Sequence, residues 1–307
     1  MISIFVLLLS ISTAEAQTDT AIAQSGYPIE MLFPQGKTKA LILSYDDGRT
    51  EDRQLVKLMN QYGLKGTFHL NSNKLGTNGY LTKAEIKQLF AGHEVSVHSA
   101  NHPGLTTLSK IDVVYEVVED RKELERLMDY PVRGMAYPFG NTNDFVVETI
   151  TGLGIEYART VEDTYAFNIP ENFLKWHPTV HQFAKAFWEP NNPESDKKEL
   201  ARFYQLINDF NNTKELAVLD IWGHSWEMGK NPDKWVETEK YFKQMANNPD
   251  IHYTTQIDLV DYINAFHILK FSVEKNMVTN FSALTIFFKK GGKSYSISPG
   301  KTLLLAN

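Results

Sequence analysis

Two adjacent carboxylates stand where an apolar run ends: "ALILSYDDG" places Asp46 and Asp47 directly behind Ala40–Tyr45. Two histidines four residues apart, His98 and His102 in "HSANH", follow a second strand-like run, "HEVSV". Imidazoles at that spacing on a tight loop or helical turn can converge on one ion, and neutral imidazole is the commonest transition-metal ligand. One carboxylate plus two imidazoles makes a three-ligand site with a position left for water and substrate. A metal held this way lowers the pKa of its water to roughly 7. The second carboxylate is then free to serve as general base. Taken alone, each feature also has a plainer reading. Asp is common in turns and at helix N-caps, and a second pair, His177 and His181 in "WHPTVH", shows how easily the histidine spacing arises.

Two further stretches carry groups suited to the same chemistry. "LDIWGHSWE" puts His224 just past another apolar run, and hydrolysis of an amide or ester needs a proton donor for the leaving group, a task for His near neutral pH. Trp222 and Trp226 flank it and are candidates either for stacking on sugar rings or for the core. "RGMAYPFG" ends a further run, where Tyr137 could offer a hydroxyl or a backbone N–H to an oxyanion.

These residues need a scaffold that brings them together. From Lys37 to about Phe266 the chain alternates short apolar runs with helical patterns: "KALILSY" then "EDRQLVKLMNQYG", "KGTFHLN" then "LTKAEIKQLFAG", "HEVSVHS" then "SKIDVVYEVVEDRKELERLM". Thr82 and Glu85 have the spacing of a capping box. Strand-then-helix repeats predict a parallel sheet, and their number favours a closed or nearly closed (β/α) barrel. In such barrels chemistry sits on the loops after the strands, so Asp46, Asp47, His98, His102 and His224 would share one rim. From about Ile268 the pattern changes to short alternating runs with a Gly-Gly turn, which predicts a small antiparallel β appendage over 268–307.

The 307 residues suffice for one large domain with an appendage. A net charge of −6 argues against a nucleic-acid partner, because phosphate binding needs a basic surface. With no cysteine, Cys nucleophiles and thiolate metal sites are excluded, and His and carboxylates remain as ligands. The start, "MISIFVLLLSISTAEAQ", has an apolar run too short to span a bilayer and a small-x-small pattern at Ala14–Glu15–Ala16. It reads as a signal peptide over 1–16, although no Lys or Arg precedes the apolar run, and it predicts a secreted or periplasmic protein without a membrane span in the mature chain.

"SYDDG", "HSANH", "YPFG" and the strand ending in His224, in that order, resemble the motifs of the polysaccharide deacetylases, the NodB-homology or carbohydrate esterase family 4 enzymes. The resemblance covers roughly 37–266. It implies a distorted (β/α) barrel of NodB-homology type and metal-dependent removal of N- or O-acetyl groups from a sugar polymer or oligomer, with zinc the expected metal. Carried over by position, Asp46 resembles the catalytic base, and Asp47, His98 and His102 the metal ligands. Tyr137 resembles the residue whose backbone N–H helps hold the oxyanion, and His224 the general acid. Trp176 resembles the family's variable Trp-bearing motif.

There are departures. Ser44-Tyr45 replaces the usual Thr-Phe, and the family's Arg two residues before the Pro falls on Ala136, with Arg133 the nearest cation on that segment. The expected function is therefore an exported metal-dependent deacetylase of acetylated carbohydrate. The empty Arg position leaves two alternatives: hydrolysis of a non-sugar C–N bond such as a cyclic imide or ureide, or a glycan-binding protein with impaired catalysis.

Overall fold

The computed structural model describes residues 28–183 and 192–306, so the signal peptide read over 1–16 lies outside the described residues. Along the chain run β1 (Ile29–Leu32), β2 (Lys39–Asp47), α1 (Asp52–Gln61), β3 (Thr67–Leu70), α2 (Ile86–Leu89) and β4 (Glu94–Val97). There follow α3 (Lys110–Met128), β5 (Gly134–Ala136), α4 (Asp144–Gly152), β6 (Tyr157–Arg159), β7 (Val180–His181), α5 (Pro193–Asn212) and β8 (Ala217–Gly223). Then come α6 (Pro232–Met245), β9 (Ile251–Tyr253), α7 (Gln256–His267) and five short strands, β10 (Lys270–Phe271), β11 (Met277–Thr279), β12 (Ile286–Lys290), β13 (Lys293–Ile297) and β14 (Thr302–Leu304). No helix among the described residues is long and apolar enough to cross a membrane.

Strands β2 to β9 form one parallel sheet in the order β6-β5-β4-β3-β2-β8-β7, with β9 on the first residues of β2. The sheet curls, and an irregular segment joins its ends. The Thr160 N–H donates to the Trp176 carbonyl at 2.9 Å and the Trp176 N–H to that of Ala158 at 3.0 Å. A few residues on, Val180 and His181 pair with Ile221 and Trp222 of β8. The alternating pattern predicts a (β/α) barrel, and the one observed is of the distorted NodB type that the motif resemblance implies.

Both faces of β2 are buried, as expected of a parallel strand covered on each side. Leu41, Leu43 and Tyr45 pack outward with Leu55 and Met59 of α1 and Val117 of α3. Ala40 and Ile42 pack inward with Tyr157, Trp176 and Val218, and with Leu259 and Ile263 of α7. Gly134 is required where it stands, since a Cβ there would lie 2.0 Å from the Tyr157 ring. The predicted capping box forms: the Glu85 carboxylate accepts the Thr82 N–H at 2.7 Å, although the helix it opens is only a 3-10 turn running into the four-residue α2.

The C-terminal strands make two small antiparallel sheets, β1-β12-β13 and β10-β11-β14. The first draws in β1, which precedes the barrel and pairs residue for residue with β12. Four residues with two buried positions are too short a pattern to announce that partnership in sequence. Phe288 of β12 joins Leu259 and Ile263 of α7 in the inner core, so this sheet packs under the barrel.

Candidate active site

Asp46 is the last inward residue of β2, 2% exposed. Asp47 follows with φ +83° and Gly48 with φ +72°. Two successive left-handed residues break the strand alternation, and Asp tolerates that region better than bulky residues do. The neighbouring carboxylates are thereby sent to different surroundings, Asp46 into the barrel mouth and Asp47 onto the rim.

Asp47 Oδ1 lies 3.8 Å from His98 Nε2 and 3.7 Å from His102 Nε2, and the two Nε2 atoms are 3.1 Å apart. His98 Nδ1 lies 2.9 Å from the carbonyl of Ala136, which can only accept, so Nδ1 carries the hydrogen and neutral His98 presents a bare Nε2. His102 sits in the left-handed region, φ +65°, and its N–H donates to Ser99 Oγ at 3.0 Å. One oxygen and two imidazole nitrogens, oriented and converging, fit a divalent transition metal, with the three His/carboxylate donors typical of an open catalytic site.

Arg133, the nearest cation on the Ala136 segment, does not serve Asp46. Arg133 points away and pairs with Asp261 at 2.6 Å and Glu156 at 2.9 Å. The cation is instead Arg159, wholly buried at the end of β6, whose Nη2 donates to Asp46 Oδ1. In the ladder Arg159 stands directly opposite Ala136. The guanidinium comes from the neighbouring strand at the same level as the vacant position. It also lies 4.8 Å over the Trp222 ring. Burial works against the charge of Asp46, but Arg159, with smaller help from His98, His69 and His224, outweighs it and holds the carboxyl below the usual carboxylate range. Asp46 Oδ2, not engaged by Arg159, lies 3.9 Å from His98 Nε2. His69, opposite Asp46 on β3, is buried, and that burial pushes its pKa down to about 3, so it is neutral.

His224 lies across the rim. Its Nδ1 is 2.8 Å from Glu227 Oε1, and His181 Nε2 is 3.0 Å from the same oxygen. Burial lowers the His224 pKa, yet the Glu227 hydrogen bond and the charges of Asp46, Glu227 and Asp47 raise it above its ordinary value. Glu227 is itself held at about 2, the two histidines overcoming its burial. His181 thus does not converge with His177. The latter is half-exposed, its Nδ1 2.8 Å from Thr160 Oγ1.

The aromatic candidates divide. Trp226 is exposed and donates Nε1–H to Asp47 Oδ2 at 2.7 Å, leaving Oδ1 to face the histidines. Trp222 is buried, stacked on His181 at 4.3 Å between ring centres, with its Nε1–H on Asp163. Trp176 is also buried, in the core of the closing segment. Tyr137 offers neither group expected of it. Its N–H donates to the Arg159 carbonyl at 2.9 Å and its hydroxyl to that of Leu174 at 2.8 Å. Pro138 has no N–H, so the first one past the ladder belongs to Phe139, exposed, at φ +60°, with its ring 4.6 Å from that of His102.

Arg159, Glu227 and His181 were not read from sequence as site residues. Glu227 could have been found as the i+3 partner of His224 on the turn after β8. Arg159 had only one signal, a lone Arg at the end of an apolar run.

Comparison with known proteins agrees with this fold. A family model described as polysaccharide deacetylase matches residues 34–158. The peptidoglycan-N-acetylglucosamine deacetylase PgdA of Listeria monocytogenes is 29% identical over 133 residues, 42% of this chain and 28% of that protein. A chitin deacetylase of a Pestalotiopsis species is 26% identical over 123 residues, 40% of this chain and 41% of that protein. The chain thus spans less than half the length of these two curated relatives. A crystal structure from Mycobacterium smegmatis, assigned to the polysaccharide deacetylases, superposes with a TM-score of 0.60 at 13% identity, over 78% of this chain and 95% of that one, and so shares the fold. The family resemblance carried by the "SYDDG", "HSANH" and "YPFG" motifs is thereby shown over residues 34–158.

Proposed function

We propose that the protein is an exported, divalent-metal-dependent deacetylase of acetylated carbohydrate, with export resting on the sequence of 1–16 alone. We assign the catalytic unit to 37–266 and treat 268–307 as an appendage that recruits β1. The observation that carries the reading is the convergence of Asp47 Oδ1, His98 Nε2 and His102 Nε2 beside the Arg159-held Asp46.

Asp47, His98 and His102 would hold the metal, zinc being the expected ion. Bound there, it would supply Lewis acidity toward the acetyl carbonyl and acidify a water. Asp46, kept ionised by Arg159, accepts the proton of the attacking water at Oδ2. The water oxygen bonds to the acetyl carbon, and we assign stabilisation of the oxyanion to the Phe139 N–H, since that of Tyr137 is engaged by the Arg159 carbonyl. His224, its pKa raised by Glu227, then donates a proton to the departing amine nitrogen or alcohol oxygen as its bond to the acetyl carbon breaks and acetate leaves. Its Nδ1 is engaged by Glu227, so Nε2 is the donor. Phe139 and Trp226 are the exposed rings at the mouth where a sugar would lie. Arg159 supplies the cation whose absence at Ala136 motivated the imide-hydrolase and glycan-binding alternatives.

The test is acetate release from N-acetylglucosamine oligomers, peptidoglycan and acetylated xylan, with and without zinc, in the wild type, Asp46→Asn and His224→Ala. Zinc-dependent release lost in both variants is the expected result. Tight zinc binding with no acetate from any substrate would overturn the deacetylase reading.

A further inference from the structure

The loop carrying the two histidines adopts a costly shape. Ser99 and His102 both have positive φ, 64° and 65°, a region non-glycine residues occupy only when the surroundings impose it. A loop of five residues cannot impose it alone, and most of its contacts come from elsewhere.

One side of α3 supplies several of them. Glu116 is 7% exposed and turns both carboxylate oxygens on Asn101, the residue next to His102. Oε2 accepts the Asn101 backbone N–H and Oε1 its side-chain amide, each at 2.8 Å. The main-chain carbonyl of Glu116 accepts the Ala100 N–H at 2.9 Å. One turn along the helix, the fully buried Asp120 accepts the Ser72 N–H at 2.7 Å and the His98 N–H at 2.9 Å, sharing the latter with the Leu70 carbonyl at 3.0 Å. The Ser72 loop closes the other side, where the Asn71 side-chain amide donates to the carbonyls of His98 at 2.6 Å and Ser99 at 2.9 Å. Residues four apart on a helix share a face, so a single face of α3 grips the loop at both ends, at His98 and beside His102.

We propose that Glu116 and Asp120 are positioning residues for the metal: they fix the His98–His102 loop in its left-handed conformation so that both Nε2 atoms face Asp47 before an ion arrives. This rests on the reading of Asp47, His98 and His102 as ligands. Neither carboxylate touches the ion or the substrate. Their effect is on the free energy of arranging the ligands, and therefore on metal affinity first and on turnover only through occupancy.

The experiment is zinc affinity by competition with a chromogenic chelator on the full chain, paired with thermal melting of each metal-free variant and with acetate release at limiting and saturating zinc. The variants are His102→Ala, Glu116→Ala, Glu116→Gln and Asp120→Asn. Wild type should bind one zinc and His102→Ala should lose it. Glu116→Ala and Asp120→Asn should weaken zinc by about 10- to 100-fold, the usual effect of removing groups that orient ligands. Glu116→Gln, which keeps one acceptor, should fall between. Saturating zinc should return kcat to nearly the wild-type value in the variants that melt near the wild type.

Wild-type affinity in both Glu116→Ala and Asp120→Asn, with His102→Ala still deficient, would overturn the clamp and leave the ligand assignment standing. A kcat deficit that zinc does not restore in a variant with an unchanged melting temperature would overturn it as well. Absence of zinc binding by the wild type itself would overturn the ligand reading and the clamp together. Should Asp120→Asn fail to fold, the two Glu116 variants, on a less buried residue, carry the test.

Discussion

Two clusters on the barrel rim have the same composition, two histidines and one carboxylate, and opposite geometry. In the first, Asp47, His98 and His102, two ring nitrogens meet at 3.1 Å and the carboxylate oxygen stays 3.7 and 3.8 Å from them. In the second, His181, His224 and Glu227, a single carboxylate oxygen sits 2.8 and 3.0 Å from the two rings and joins them. The second is a closed hydrogen-bonded triad whose carboxylate is already satisfied by N–H donors. In the first, the carboxylate stands back from both rings and the two Nε2 atoms and Oδ1 point into one space that a cation can fill. Composition alone does not separate a metal site from a protonation device. The separation lies in whether the carboxylate closes on the imidazole hydrogens or stands back from them.

The strongest test of this contrast is to remove each carboxylate. Asp47→Ala should abolish zinc binding and lower acetate release by about 10³-fold, the several kcal/mol that a catalytic metal supplies. Glu227→Ala should still bind one zinc. Two zinc ions per wild-type chain, counted by elemental analysis, would show that the clusters are alike after all.

Next in size is the buried pair beneath the first cluster. Arg159→Ala leaves Asp46 buried and unpaired, and breaking such a pair costs about 3–5 kcal/mol. A carboxyl held below its ordinary pKa in the folded state stabilises the fold above the ordinary Asp range. That stability is lost as pH falls through the folded value. Denaturant unfolding should therefore show the wild type losing stability on acidification through this pair, with the loss reduced in Arg159→Ala. Adding Ala136→Arg to Arg159→Ala returns a guanidinium to the opposite position of the ladder and should recover part of the activity.

The second cluster governs pH dependence. Glu227 raises the pKa of His224, so the proton donor persists to higher pH than a free histidine would allow. In Glu227→Gln the alkaline limb of kcat/KM should move to lower pH, with a fall of about ten- to a hundredfold at the optimum from loss of a charged hydrogen bond. An unmoved limb would separate His224 from the proton-transfer step.

The legible part of this molecule was what repeats or stands adjacent. Strand-helix alternation announced the barrel. Asp46, Asp47, His98, His102 and His224 could be picked out because each lies at or beyond the C-terminal end of a strand, where a barrel gathers its side chains on one rim. What stayed hidden depends on register and on loops. Arg159 faces Asp46 only because β5 and β6 align it with Ala136, and no local pattern carries strand register. Tyr137 does not offer the N–H its position suggests, because that N–H belongs to the ladder with β6 and the turn shifts the first N–H outside the ladder to Phe139. Likewise β1 became part of the C-terminal sheet through a pairing more than 250 positions long in sequence, Ile29 to Lys290.

The smallest effect concerns the link between the two clusters. Trp226 lies between them, its ring centre 5.0 Å from that of His224 and its Nε1–H 2.7 Å from Asp47 Oδ2. That hydrogen bond ties up one oxygen of Asp47 and aims the other at the histidines, so Trp226→Phe keeps the ring while freeing the carboxylate to rotate. Zinc should weaken by about tenfold, the low end for an orienting partner, while the pH at which His224 loses its proton should scarcely move, because Glu227 remains in place. A shift of the alkaline limb without a loss of zinc affinity would mean that Trp226 serves the proton donor instead, and would join the two clusters into one unit.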